Sequence, residues 1–149
     1  MPDNAVSLHR VIKASPEKIF RAFTEPNAIA AWLPPYGFIC TVHEMTVEVG
    51  GVYRMSFQNF STGSCQSFGG KYIEIKPAVF IKYTDKFDDP NLPGEMMTSV
   101  WLKKVMVGTE IKIVQEGIPA VIPIEMCYLG WQQSLEKLVK LVEPEIMDA

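Results

Sequence analysis

Cys127-Tyr128-Leu129-Gly130-Trp131-Gln132-Gln133-Ser134-Leu135-Glu136-Lys137-Leu138-Val139-Lys140-Leu141-Val142-Glu143-Pro144 places Cys127, Trp131, Leu135, Leu138 and Val142 at spacings of 4, 4, 3 and 4. That is one apolar stripe on a helix. Gln132, Gln133, Glu136, Lys137 and Lys140 fill the opposite side, Glu136 and Lys140 form an i,i+4 pair, and Pro144 ends the helix. A single long amphipathic helix must lay its stripe on something, and the chain upstream supplies a sheet. From Phe38 onward the period is two. Strands are expected over Ile39–Val49, Val52–Phe57, Lys71–Ile75, Val79–Phe87, Met97–Val107 and Thr109–Gln115, with Gly50-Gly51, Asn59–Gly63, Pro77, the Asp88–Gly94 loop and Gly108 between them.

The N-terminal part begins with another strand, Val6, Leu8, Arg10 and Ile12 alternating with Ser7, His9, Val11 and Lys13. Ser15-Pro16-Glu17 then has the cap, the fixed-φ first residue and the first-turn acid of a helix. Ile19, Phe20 and Phe23 share its face. A second short helix is expected from Pro26 to about Trp32, stopped by Pro34-Pro35. Strand, two short helices, six strands and one long helix make an α+β chain. Its antiparallel sheet of about six to seven strands curls around the C-terminal helix, and a cavity between the two is expected. No linker or repeat divides residues 1–149, so one domain is expected.

Composition excludes several functions. Hydrophobic residues at 48% and charged residues at 21% are those of a folded chain. Fourteen basic against seventeen acidic residues argue against affinity built on phosphate contacts, so no nucleic-acid partner is expected. No apolar run nears the roughly 20 residues of a membrane span, and Met1-Pro2-Asp3-Asn4 has no secretory character, so a cytoplasmic location is expected. Cys40, Cys65 and Cys127 are odd in number and far apart, and His9 and His43 are not at ligand spacing. Neither a disulfide framework, a metal nor a cofactor is expected.

Taken together, Ser15–Pro26 followed by Trp32, Gly50-Gly51-Val52-Tyr53-Arg54, Gly70–Pro77, Gly108–Ile113, and Gly130-Trp131 with Leu135 and Leu138 resemble the activator of heat-shock-protein-90 ATPase homologue family. The resemblance covers nearly the whole chain. It implies the helix-grip fold of the START-like superfamily, also called birch-pollen-allergen-like. The eukaryotic co-chaperone behind the family's name resembles this chain only in its C-terminal domain. Its N-terminal domain, which grips the chaperone, is not expected to have a counterpart in this chain. Two departures matter. Many relatives carry Asp-x-Arg-Pro before the glycine pair where this chain has Thr46-Val47-Glu48-Val49. A histidine that often closes the last strand is replaced by Gln115, which hydrogen-bonds but cannot act as a general base.

Candidate ligand-cavity residues follow from alternation and this fold. Tyr53, Met55 and Phe57 share one strand face, Ile111, Ile113 and Gln115 another, and the last helix adds Cys127, Tyr128 and Trp131. Tyr83 and Glu125 are polar groups that could orient a ligand. Glu125 reads equally as a charge at the helix's positive end. Trp32, with Pro34-Pro35-Tyr36-Gly37-Phe38, is either a gate at the cavity mouth or a helix stop packed in the core. An inward Gln115 needs a partner. Asp85–Pro90 reads as a solvated loop or lid. No paired carboxylates mark a catalytic site. The expected function is therefore non-catalytic binding of a small hydrophobic or amphipathic molecule, in a monomer or weak homodimer. A stress-related protein that meets heat-shock protein 90 or another protein is the alternative, and a cyclase- or hydrolase-like enzyme the second.

Overall fold

The computed structural model describes residues 4–148. Along the chain run β1 (Val6–Ile12), α1 (Pro16–Thr24), α2 (Pro26–Trp32), β2 (Phe38–Met45), β3 (Val52–Asn59), β4 (Cys65–Lys76), β5 (Phe80–Phe87), β6 (Met96–Val105), β7 (Gly108–Glu116) and α3 (Ile124–Val142). The strands form one antiparallel sheet in the order β1-β7-β6-β5-β4-β3-β2. β1 and β2, consecutive strands in the chain, therefore lie at opposite edges. α1 and α2 carry the chain across, which requires the sheet to curl. The concave face holds α3, and the whole is an α+β helix-grip fold.

Local chemistry explains the helix ends. The Ser15 hydroxyl accepts the Lys18 amide hydrogen at 3.1 Å, and Pro16 takes the first helical position. At the far end of α3, Glu143 accepts the Lys13 N–H at 2.9 Å and the Pro144 carbonyl accepts from Lys18 at 3.1 Å. The last turn of α3 is thus tied to the β1–α1 connection. Trp131, Leu135, Leu138 and Val142 of the sequence stripe are buried, together with Ser134. Among the described residues no helix is long and apolar enough to cross a membrane.

Two strand boundaries differ from the sequence reading by more than two residues. β2 stops at Met45 rather than Val49, because residues 46–51 fold into turns: the Glu48 N–H donates to Thr46 O and the Gly51 N–H to Glu48 O. β4 begins at Cys65, so Gly69-Gly70 lies inside a strand rather than before it. The cause is crowding. A Cβ at Gly69 would stand 2.4 Å from the Tyr53 carbonyl oxygen, and one at Gly70 only 1.9 Å from that of Thr84. Glycine inside a strand marks such a close backbone approach.

Gly70→Ala should accordingly lower unfolding free energy by at least about 2 kcal/mol in urea titrations. Gly130→Ala in α3, where a Cβ meets nothing within 4 Å, should raise it by about 0.5–1 kcal/mol. Equal stability of Gly70→Ala and the wild type would refute the crowding argument.

Candidate functional site

Three adjacent strands each point alternate side chains at the N-terminal half of α3. β3 contributes Tyr53, Met55 and Phe57, β4 Gln66, Phe68 and Tyr72, and β5 Ile81, Tyr83, Asp85 and Phe87. Opposite them stand Met126, Cys127, Gly130, Trp131 and Ser134 of α3, while Phe23, Ile29 and Leu33 close the side. They enclose a cavity of about 330 Å³. It exists because the two halves of α3 differ. Leu135, Leu138 and Val142 fill the space beneath the C-terminal half, whereas Gly130 offers no side chain toward the strands. The strand side is lined by rings in contact. Phe57 meets Phe68 edge-on with centroids 4.8 Å apart, and Tyr53 lies 5.7 Å from Tyr72 and 5.8 Å from Tyr83.

Several polar groups in this wall are satisfied by the protein. Gln115 accepts the Trp131 indole N–H at 3.1 Å and donates to the Thr98 hydroxyl at 3.2 Å. This answers the demand for a partner that an inward glutamine makes. The Ser134 hydroxyl is 2.5 Å from the Leu33 carbonyl oxygen, its acceptor. The Tyr53 hydroxyl donates to the Thr84 carbonyl at 2.7 Å. Burial pushes the Tyr53 and Tyr83 phenols well above their usual range, Tyr72 up to about 12, and the Cys127 thiol upward.

Asp85 differs, since among the described residues its Oδ1 is the one buried side-chain oxygen or nitrogen without a partner. It follows Tyr83 and precedes Phe87 on the inward face of β5, and its Oδ1 is closed off from solvent with no hydrogen-bond partner. The Tyr53 hydroxyl stands near, but its one proton points to Thr84 O. Desolvation pushes the carboxyl up to about 7, against smaller opposing effects of Tyr53 and the Lys86 amide. A carboxyl in this state can hold or release a proton near neutrality, or pair with a donor that enters the cavity.

Of the residues singled out from sequence, Tyr53, Met55, Phe57, Tyr83, Gln115, Cys127 and Trp131 border the cavity. The structure places the others elsewhere. Trp32 is fully buried against Phe23, at a centroid distance of 4.7 Å, and donates its indole N–H to Ala22 O at 2.8 Å. It is the core residue of the two readings, not the gate. Ile111 and Ile113 lie in the packed core and are not among the residues that line the cavity. The Tyr128 hydroxyl reaches β1 and accepts the Ser7 N–H at 3.3 Å. Glu125 is exposed in the first turn of α3, where it serves the helix dipole. Residues 33–36 are fastened to α3, with the Tyr36 N–H donating to Gln133 Oε1 and Lys137 Nζ to Pro34 O.

Sequence reasoning missed Asp85, Phe68 and Tyr72. The signal was present for Asp85: Ile81, Tyr83, Asp85 and Phe87 keep strict alternation. Grouping Asp85 with the charged run ending at Pro90 hid it. Asp88, by contrast, behaves as that reading expected and pairs with Arg54 on the surface. Among the described residues no cluster of His, Cys, Asp and Glu could hold a metal ion, and all three cysteines are free.

A family model described as Activator of Hsp90 ATPase homolog 1-like protein matches residues 13–143. A solved structure from Chromobacterium violaceum is 52% identical, covers 97% of this chain and 100% of its own, and superposes with a TM-score of 0.95. One from Rhodobacter sphaeroides is 20% identical, with coverage of 93% and 91% and a TM-score of 0.82. An AHSA1-like protein from Aeromonas hydrophila is 18% identical, with coverage of 93% and 92% and a TM-score of 0.76. The last two likenesses show the fold alone. No curated protein matches this chain.

The Asp85 carboxyl makes stability depend on pH with a definite sign. Unfolded, it loses its proton near the ordinary value of about 4; folded, it keeps it to about 7. Between these values the folded state binds more protons, so this group's contribution falls as pH rises and stays lost above 7. Asp85→Asn removes the effect. Its stability relative to wild type should improve by about 2 kcal/mol between pH 5 and pH 8 in chemical denaturation. A difference constant over that range would contradict a desolvated carboxyl.

Proposed function

The chain belongs to the Activator of Hsp90 ATPase homolog 1-like family, and from the geometry of its cavity we propose that it binds a small apolar or amphipathic molecule between the sheet and α3. The observation that carries this reading is the apolar cavity itself, bounded on α3 by a glycine. Its volume of about 330 Å³ falls at the lower end of the range of small-molecule sites, and its wall joins many apolar side chains to few polar ones, as such sites do. Affinity would come from burying apolar surface against Phe57, Phe68, Phe87 and Met55. Catalysis is not part of the proposal, since Gln115 and Ser134 already spend their hydrogen bonds on the protein.

The neutral fluorophore N-phenyl-1-naphthylamine is a suitable probe. It should bind with one-site stoichiometry, with enhanced fluorescence. Gly130→Leu, which places a side chain in the open space on α3, should weaken binding at least tenfold while the thermal midpoint stays the same or rises. Undiminished binding in that variant would place the probe elsewhere. No binding to the wild type would shift weight to the Hsp90 partner named in the family's description, tested by co-sedimentation with that chaperone.

A further inference from the structure

The cavity wall is electrically one-sided. Among the described residues no Lys, Arg or His borders it, and Asp85 is its single carboxyl. Along β5 the wall runs from Tyr83 through Asp85 to Phe87. On β4, Tyr72 pairs with Tyr83 and Phe68 with Phe87. The carboxyl therefore sits where a row of tyrosines meets a row of phenylalanines. Tyr53, Tyr72 and Tyr83 form a triangle with centroids 5.7, 5.8 and 6.3 Å apart. Electron-rich rings attract cations, more strongly where water is excluded. Beside them, Oδ1 of Asp85 lacks a donor in a place where buried acceptors almost always have one.

Resting on the cavity reading above, we propose that the ligand is an amphipathic organic cation, a protonated amine whose nitrogen donates to the Asp85 carboxylate beside the three tyrosine rings while its apolar body lies along Phe68 and Phe87. An ammonium supplies both the missing donor and the opposite charge. An alcohol supplies only the donor, and a fatty carboxylate brings a second negative charge beside the first. Binding the cation requires Asp85 to be ionised, so affinity rises with pH. Among the described residues, the other titrating groups that border it are Tyr53 on β3, Tyr72 on β4, Tyr83 on β5 and Cys127 on α3. All four are held protonated through neutrality by burial.

Displacement of N-phenyl-1-naphthylamine by octylamine, octanol and octanoate tests this, because the three share one chain and differ only in the head. At pH 8 octylamine should compete at least tenfold more strongly than either of the others. In Asp85→Asn, with each competition referred to that variant's own affinity for the fluorophore, its advantage over octanol should shrink to within threefold. In the wild type at pH 5.5, where an alkylamine remains fully protonated, that advantage should fall at least tenfold relative to pH 8. The pH series needs no variant and decides the matter even where Asp85→Asn folds poorly. Octanol or octanoate competing as strongly as octylamine at pH 8, or an amine preference that survives Asp85→Asn or does not weaken at pH 5.5, overturns the cation while leaving the cavity reading intact. Failure of the fluorophore to bind overturns both.

Discussion

The hydrogen-bonded chain from the Trp131 indole through Gln115 to Thr98 fixes where α3 rests on the sheet. Each link is buried, so breaking one would leave an unpartnered polar group at a cost of about 1–3 kcal/mol. The chain ties α3 to β7 and β6. On one side of it, Leu135, Leu138 and Val142 pack with Ile111 and Ile113 in the core. On the other, Gly130 and Cys127 face β3 to β5 across open space. An apolar contact at this point would let the helix settle onto the strands until the void closed, because dispersion is non-directional. Directed hydrogen bonds resist that collapse.

A second constraint lies in the sheet. β3, β4 and β5 approach so closely around Gly69 and Gly70 that no side chain fits there. Regular pairing is interrupted, and side chains take over its hydrogen bonds. The Lys71 N–H donates to the Thr84 hydroxyl at 2.9 Å, and the Tyr53 hydroxyl donates to the Thr84 carbonyl. This repair leaves Oδ1 of the next residue, Asp85, without a donor, since the nearest hydroxyl gives its proton to Thr84 O. The orphan carboxyl and the glycine pair are thus two consequences of one crowded crossing.

Much of this architecture was legible in the sequence because it rests on period and stopper residues. The α3 stripe, the Ser15 cap and the β6–β7 turn at Gly108 are local signals. The cavity was legible only by halves. Alternation says that Tyr53, Met55 and Phe57 share a face, and equally that Ile111 and Ile113 do, but it cannot say how far α3 stands from each strand. That distance is set by Gln115 meeting Trp131 16 residues away. Which of its two readings Trp32 takes, and where Tyr128 points, were not legible for a related reason: an aromatic side chain with a polar end goes where its hydrogen bond is satisfied, at Ala22 and Ser7 here, and no periodicity encodes that partner. Gly69-Gly70 was placed before the strand that begins at Lys71, because glycine usually punctuates. Its role inside β4 depends on strands that come together only in three dimensions.

The position of Asp85 argues against a purely structural account of the wall. A leucine there would bury more apolar surface, need no proton and help close the void, so stability alone favours it. The aspartate instead adds a desolvation penalty to the contacts that the cavity already forfeits. Both costs fall at one spot and have one remedy: a molecule that fills the volume and donates to the carboxyl. Elsewhere the same protein is careful with polar groups, to the point that among the described residues Asp85 Oδ1 is the only buried side-chain oxygen or nitrogen recorded without a partner. A fold that satisfies Gln115, Thr98, Thr109 and Ser134 internally has the means to satisfy one more acceptor. Leaving it open beside electron-rich rings makes the free protein less stable than it could be. On the proposed reading it also gives the cavity its chemical preference, because a ligand that removes the penalty would gain in affinity what the empty site lost in stability.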